Sequence, residues 1–320
     1  MVLLWTTYKV LNAQFFVTLF SNRNPANNAK SVHRFNKKLR HTYYRQMHKA
    51  DISIMGCGWL GLPLAERLLK SGKTVNGSTT SPAKIEKLKQ KGIAPFLIDL
   101  GKDTWEETQL QEFLSAGTLI LNIPPHLRSD GGEHYLKQMK RLRTSLLNSS
   151  VTRLLFVSST SVYLDLNRVV TEEDIAFTQE QAPETPLLLA EQLFSEREEW
   201  LTTIVRFAGL VGQEREPGRF MAGKKHMPNG DAPVNLIHLD DCLSVLMGLL
   251  EQEKWGETYN ACADEHPLRK HFYPAAAHAL GLEPPQFDDM QETHFKIIKS
   301  QKLKNDLAYE FRHPDPMRFF

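Results

Sequence analysis

The stretch that most constrains this chain is DISIMGCGWLGLPLAERLLKSG, residues 51–72. It is an apolar run, a loop carrying Gly56, Gly58 and Gly61, then an amphipathic segment. DISIM is short and apolar, which predicts a buried strand. PLAERLLKSG places its leucines at helical spacing and closes on Gly72, a C-cap signal. A strand that enters a helix through G-x-G-x-x-G makes a phosphate cradle: the first glycine allows the tight turn, the second admits pyrophosphate to the backbone, and the third lets helix pack on strand. The helix N-terminus adds free N–H groups and the positive end of its dipole. The backbone of Gly56, Gly58, Trp59, Leu60 and Gly61 is therefore the candidate site for a dinucleotide's pyrophosphate.

The same alternation continues downstream. TVNGS reads as a second strand, KIEKLKQKG as a helix, APFLIDL as a third strand and TLILNIPP as a fourth. YLKQMKRLRTSLLNSS follows as a long helix, RLLFVSST as a fifth strand, EQLFSEREEWL as a helix and TTIVRFAGLVG as a sixth strand with its exit loop. Short strands alternating with amphipathic helices predict an α/β fold, a Rossmann-type doubly wound parallel sheet. After residue 212 the alternation gives way to glycine, proline and charge, as expected of a small C-terminal substrate-binding lobe. The expected division is a basic extension over 1–47, an NAD(P)-binding domain over 48–212, and a lobe over 213–320 partly interleaved with the sheet.

Composition excludes several alternatives. An apolar content of 41% over 320 residues supports a sizeable core. No apolar run approaches the roughly 18 residues that span a bilayer. Cys57, Cys242 and Cys262 are far apart, with no ligand-like Cys/His spacing, so a reducing, cytoplasmic setting is expected and a metal is not. The net charge of +2 hides an asymmetry: residues 1–50 hold nine basic and no acidic residues, leaving 30 basic against 37 acidic in the remainder. That N-terminus reads as an extension ahead of a true start at Met47, as an organelle transit peptide, or as a nucleic-acid-binding tail, the last from KKLRHTYYRQMHK. The body of the chain gives no reason to expect a nucleic-acid or membrane partner.

Where the second strand ends, an acidic residue would select NAD by binding the ribose 2′-hydroxyl. This chain has Ser78, Thr79 and Thr80 there, with Lys84 close behind and no carboxylate. Hydroxyls beside an ammonium suit a 2′-phosphate, so NADP is preferred over NAD; a turn and helix cap is the plainer reading of the same residues. Asp99, ending the third strand, is placed to accept from the adenine amine, or to cap a turn. Asn122, Ile123 and Pro124 end the fourth strand where a cofactor crosses the sheet edge. His126 lies on the loop beyond them. Arg206, ending the sixth strand, and Arg219 in PGRF are expected to face the cleft, where they suit phosphate or carboxylate; salt-bridged loops are the alternative.

Taken together and in this order, GCGWLG, LLFVSSTSVY, TIVRFAGLVG, NLIHLDD and GETYNACADEHP resemble the extended short-chain dehydrogenase/reductase superfamily, the NAD-dependent epimerases and dehydratases. GWLGLPLA, SSTSVY, RFAGLVG, PGRFMAGK and NLIHLDD more closely resemble the YeeZ-type proteins, an atypical branch. The resemblance implies a dinucleotide cofactor, a substrate oxygen polarised by Ser159, cofactor contact at Ser158, substrate contacts at Asn235 and His238, and a homodimer through a two-helix face. Asp240 and Asp241 read as caps of the next helix.

Two departures stand out. The superfamily's first loop glycine would fall on Met55. More seriously, it uses a Tyr-x-x-x-Lys pair in which lysine lowers the tyrosine pKa and tyrosine exchanges a proton as hydride moves. The helix that should carry the pair, TPLLLAEQLFSEREEW, contains neither residue: the tyrosine position falls near Leu189 or Ala190 and the lysine near Leu193 or Phe194. Tyr163 substitutes only if a cation approaches it, since a free tyrosine titrates near pH 10. Three readings follow. One is an NAD(P)-dependent reductase or epimerase acting on a nucleotide-linked or small polar substrate. The second is a non-catalytic NADP-holding sensor or scaffold. The third is a hydroxyacid dehydrogenase-like enzyme, because GWLGLPLAERLLKSG also resembles the opening of the 3-hydroxyisobutyrate type, a family without an SSTSVY strand.

Overall fold

The structure is a computed structural model that describes residues 50–102, 106–125, 132–175, 185–195, 198–288 and 293–320. The basic N-terminal segment and His126 lie outside the described residues.

The strands, in chain order, are β1 (Ala50–Met55), β2 (Val75–Thr79), β3 (Ala94–Leu97), β4 (Ala116–Leu121), β5 (Arg153–Ser159), β6 (Arg168–Val170), β7 (Leu201–Phe207), β8 (Gly209–Val211), β9 (Leu236–His238), β10 (Thr258–Ala261) and β11 (Lys296–Ile298). Seven form one parallel sheet in the order β3-β2-β1-β4-β5-β7-β10, and two short parallel pairs, β6 with β11 and β8 with β9, stand apart from it. The sheet is thus the doubly wound fold expected from the alternation, and its last strand comes from beyond residue 212. Ile54 faces Ile120 across β1 and β4, both fully buried, and Leu155 and Val205 extend the same apolar layer. Strands covered on both faces need such continuous apolar runs.

The helices alternate with the strands: α1 (Gly61–Lys70), α2 (Ile85–Gln90), α3 (Glu107–Phe113), α4 (Glu133–Leu146), α5 (Pro186–Ser195), α6 (Gly218–Met221), α7 (Leu239–Glu251), α8 (Arg269–Ala279) and α9 (Gln301–Leu307). α1 buries Leu64, Ala65 and Leu68, the i, i+1, i+4 face that its sequence predicts. It stops at Gly72, whose φ of 82° lets Lys73 N–H reach Leu68 O at 3.0 Å. α5 begins and ends earlier than EQLFSEREEWL suggests. No helix among the described residues is long and apolar enough to cross a membrane.

The order reverses at β1, with β2 on one side and β4 on the other, so connections leave the sheet in opposite directions there and open a crevice above the strand ends. The glycine loop after β1 and Asn122–Pro124 after β4 meet in that crevice.

Candidate dinucleotide site

The glycine loop is built by two side chains from neighbouring strands. Gly56 N–H donates to Ser78 Oγ at 2.9 Å, and Asn122 Nδ2 donates to Gly56 O at 3.1 Å. Cys57 N–H adds a bond to Ser78 O at 2.8 Å. A Cβ on Gly56 would strike the Asn122 carbonyl, and φ there is 103°; a Cβ on Gly61 would strike the Gly56 carbonyl. Gly56 is needed for the loop to lie against the end of β4, and Gly61 for the loop to fold on itself. Gly58 differs: it is exposed, and a Cβ there would meet nothing within 4 Å. Its open side lies at the start of α1, which has no side-chain cap and no acidic residue in its first turn. This is the free space and the positive helix end that a pyrophosphate requires. Cys57 faces inward, and burial pushes its thiol pKa up to about 12, so it is an inert packing residue.

The hydroxyls after β2 divide. Ser78 is buried with its Oγ committed beneath the loop, which places it away from any ribose phosphate. The strand runs one residue past TVNGS, and Ser78 points toward the end of β1, beside Gly56 and Met55. Thr79 Oγ1 accepts from Ser81 N–H at 3.1 Å, the turn-capping role, while Thr80 and Lys84 are exposed. Asp99 also caps a turn, accepting from Gly101 N–H at 2.9 Å. Ile123 is half-buried and Pro124 exposed at the end of β4.

Trp59, between the second and third glycines, turns its ring toward the segment after β8. Its Nε1 donates to the Gln213 carbonyl, and the Arg215 guanidinium stacks on the ring 4.6 Å from its centroid.

The end of β5 is arranged differently from the sequence expectation. The register pairs Ser158 with Arg206 across β5 and β7. Ser158 Oγ donates to Glu191 Oε1 at 2.5 Å, and Arg206 Nη2 meets Glu191 Oε2 at 2.6 Å, with the two charged side chains 0% and 2% exposed. Arg206 Nη1 donates to Tyr163 OH at 2.8 Å, and that hydroxyl donates to Asn260 Oδ1 at 2.7 Å. Two expectations are corrected. Arg206 does not face the cleft: a guanidinium on a strand inside the core needs a buried counter-charge, and Glu191 supplies it. A cation does reach the Tyr163 hydroxyl, yet the tyrosine is not thereby activated. It is 4% exposed with both hydrogen-bonding capacities used, and burial outweighs the Arg206 charge and raises its pKa to about 12. The ammonium of Lys296 reaches the Tyr163 carbonyl oxygen at 2.7 Å, on the backbone side. On α5 the positions matched to the pair hold Leu189, Ala190, Leu193 and Phe194, and Glu191 between them points into the core. Ser159 stays half-buried at the strand end, its Oγ accepting from Ser161 N–H at 3.1 Å.

The remaining predicted residues are dispersed. Asn235 clamps β11, donating to Lys296 O and accepting from Ile298 N–H, each at 2.9 Å. Arg219 pairs with Glu216 on the surface at 2.5 Å. His238 caps α7, its Nδ1 accepting from Asp240 N–H at 3.2 Å. The cap expected of Asp240 and Asp241 is corrected accordingly. Arg67 of α1 holds the Asp240 carboxylate at 3.1 Å, and buried Asp241 accepts from Tyr309 OH, Arg312 N–H and His313 N–H at 2.6, 2.7 and 3.0 Å. His238, Asp240 and His313 bring their ligating atoms within 4.8 Å of one another. Of these atoms the His238 Nδ1 lone pair already serves the cap, and Asp240 is already neutralised by Arg67. Burial and the neighbouring His313 lower the His238 pKa.

Glu191 was the functional-site neighbour the sequence reading missed. Its signal was present: a single carboxylate on the apolar face of LLLAEQLF, matched by a single arginine inside TTIVRF.

No protein-family model matches the chain. Protein YeeZ of Escherichia coli (strain K12) is 37% identical over 275 residues, which cover 83% of this chain and 97% of that protein. Among solved structures, a short-chain dehydrogenase/reductase superfamily protein from Agrobacterium tumefaciens with bound NAD superposes with a TM-score of 0.64 at 19% identity, covering 83% of this chain and 94% of the other. UDP-glucuronic acid 4-epimerase from Bacillus cereus, in complex with UDP-glucuronic acid and NAD, gives 0.65 at 18% identity, covering 84% and 96%.

Proposed function

Because the chain belongs to the YeeZ family and has the fold of NAD-binding short-chain dehydrogenases and epimerases, we propose that it binds a nicotinamide dinucleotide across the strand ends at β1 and β4. The observation that carries this reading is the contrast among the glycines. The Asn122 carbonyl closes the space beside Gly56 and the Gly56 carbonyl closes that beside Gly61, while Gly58 opens onto free space at an uncapped helix N-terminus. Asn122, Ile123 and Pro124 form the opposite lip. The preferred cofactor is NADP: no carboxylate ends β2, and exposed Thr80 and Lys84 offer a hydroxyl and a cation to a 2′-phosphate. In this reading residues 48–212 hold the dinucleotide and residues 213–320 form the lobe over it, with His238 and Arg219 as its candidate substrate contacts.

The chemistry proposed is that of a dinucleotide-holding sensor or scaffold, without the superfamily's Tyr-Lys proton exchange. Tyr163 is the one tyrosine at the β5 end, and its proton is locked between Arg206 and Asn260 with a pKa near 12. A second reading, a reductase or epimerase on a nucleotide-linked or small polar substrate, is favoured by one observation: among the described residues half-buried Ser159 Oγ accepts from Ser161 N–H and donates to no partner, so that it can polarise a substrate oxygen. Calorimetric titration with NADPH and NADH tests the first part. Saturable binding with NADPH the tighter is expected, and no saturation up to millimolar cofactor overturns it. Turnover assays with NADP(H) and nucleotide sugars separate the two chemistries, since robust turnover removes the sensor reading.

A further inference from the structure

We propose that Arg215 is a phosphate-binding residue of the cofactor site, supplied by the turn that follows β8. The inference rests on the dinucleotide reading above and adds a residue that the glycine motif does not contain. The turn is closed on itself: Arg215 N–H donates to Gly212 O at 2.9 Å and Gly212 N–H returns a bond to Arg215 O at 3.3 Å. Gly212 has a φ of 145° and Glu214 a φ of 64°, so the backbone is held in a conformation few residues adopt. The turn is then fastened to the glycine loop through Trp59, whose Nε1 bonds the Gln213 carbonyl and whose ring carries the Arg215 guanidinium at 4.6 Å.

The guanidinium carbon lies over the ring, and among the described residues its N–H groups meet no protein acceptor, which leaves them for phosphate to take in bidentate fashion. The neighbouring Glu216 pairs instead with Arg219. Trp59 is adjacent in the chain to Gly58, the one loop glycine that opens outward, and both Gly58 and Arg215 are exposed. A fixed, unpaired cation stacked on the residue next to an open pyrophosphate position is a built anion contact. Prior ordering by the ring lowers the entropy lost when phosphate binds.

The test is calorimetry on the full chain and its Arg215→Met and Arg215→Lys variants, with NADPH and with ADP-ribose, at low and at moderate salt. ADP-ribose carries the pyrophosphate without nicotinamide. Arg215→Met keeps an unbranched side chain against Trp59 and removes the charge. It is expected to weaken both ligands about tenfold or more, to reduce the salt dependence of binding, and to leave the thermal midpoint of the free protein unchanged. Arg215→Lys, which keeps charge without the planar fork, should fall between. Unchanged affinity of Arg215→Met for both ligands, or of Arg215→Lys should the Met variant not fold, overturns the assignment of Arg215 alone. Failure of the parent chain to bind either ligand overturns the dinucleotide reading itself, and the two failures are told apart by measuring the parent first.

Discussion

The Arg206 guanidinium of β7 lies against the Glu191 carboxylate of α5 inside the core, Nη2 2.6 Å from Oε2. Removing one partner of a buried ion pair strands the other charge, at a cost of about 3–5 kcal/mol, whereas replacing both with apolar residues of similar volume costs far less. Glu191→Leu should therefore lower the stability measured by chemical denaturation by about that amount, and Glu191→Leu with Arg206→Met should recover most of it. Additive losses in the double variant would show that the two charges do not depend on each other.

Tyr163 gives a pH-dependent prediction. Burial raises its folded pKa to about 12, above the ordinary tyrosine value near 10. A group whose folded pKa is raised contributes stability that is fully present below the unfolded pKa and is lost as pH rises through the folded one. Denaturation between about pH 10 and 12 should thus show a falling stability that is shallower in Tyr163→Phe. The same variant loses bonds to Arg206 and Asn260, costing about 1–3 kcal/mol at neutral pH, and should bind NADPH as the parent does. A large loss of cofactor affinity in Tyr163→Phe would place that hydroxyl in the site after all.

Gly61 and Gly58 should separate stability from binding. Gly61→Ala drives a methyl into the Gly56 carbonyl and should destabilise the fold by about 1–3 kcal/mol. Gly58→Val has room in the free protein, so its thermal midpoint should stay near the parent's while NADPH affinity falls by tenfold or more. Intact binding by Gly58→Val, measured by calorimetry, would move the pyrophosphate elsewhere.

Asp241 ties the chain's last segment to α7 through three bonds to Tyr309, Arg312 and His313. Asp241→Ala removes a fully buried acceptor shared by one hydroxyl and two backbone N–H groups. It should expose residues near 309–313 to hydrogen exchange and cost about 2–4 kcal/mol. Unchanged exchange at Arg312 and His313 would show that the segment is held by other contacts.

These elements show what a sequence of this kind makes legible. The sheet follows from two periods, apolar runs of strand length and leucines at helical spacing, and Gly56 and Gly72 are readable because each needs a positive φ. Ser78 differs from expectation because its Oγ is claimed by Gly56 N–H across β1 and β2, a contact that the sequence does not display. The α7 cap was assigned to aspartates on intrinsic preference, but Arg67 and the C-terminal segment claim both carboxylates, and that competition exists only in three dimensions. Glu191 and Arg206 were visible singly, as charges on apolar faces. Their pairing needed the register of β5 with β7 and the placement of α5 over both.

The most direct test is a crystal structure grown with saturating NADP. Dinucleotide binding across the ends of β1 and β4 predicts pyrophosphate density over Gly58, within hydrogen-bond distance of the N–H groups that open α1, with the 2′-phosphate toward Thr80 and Lys84. A loop left empty at millimolar cofactor, or a dinucleotide bound away from the crevice between β1 and β4, would contradict it.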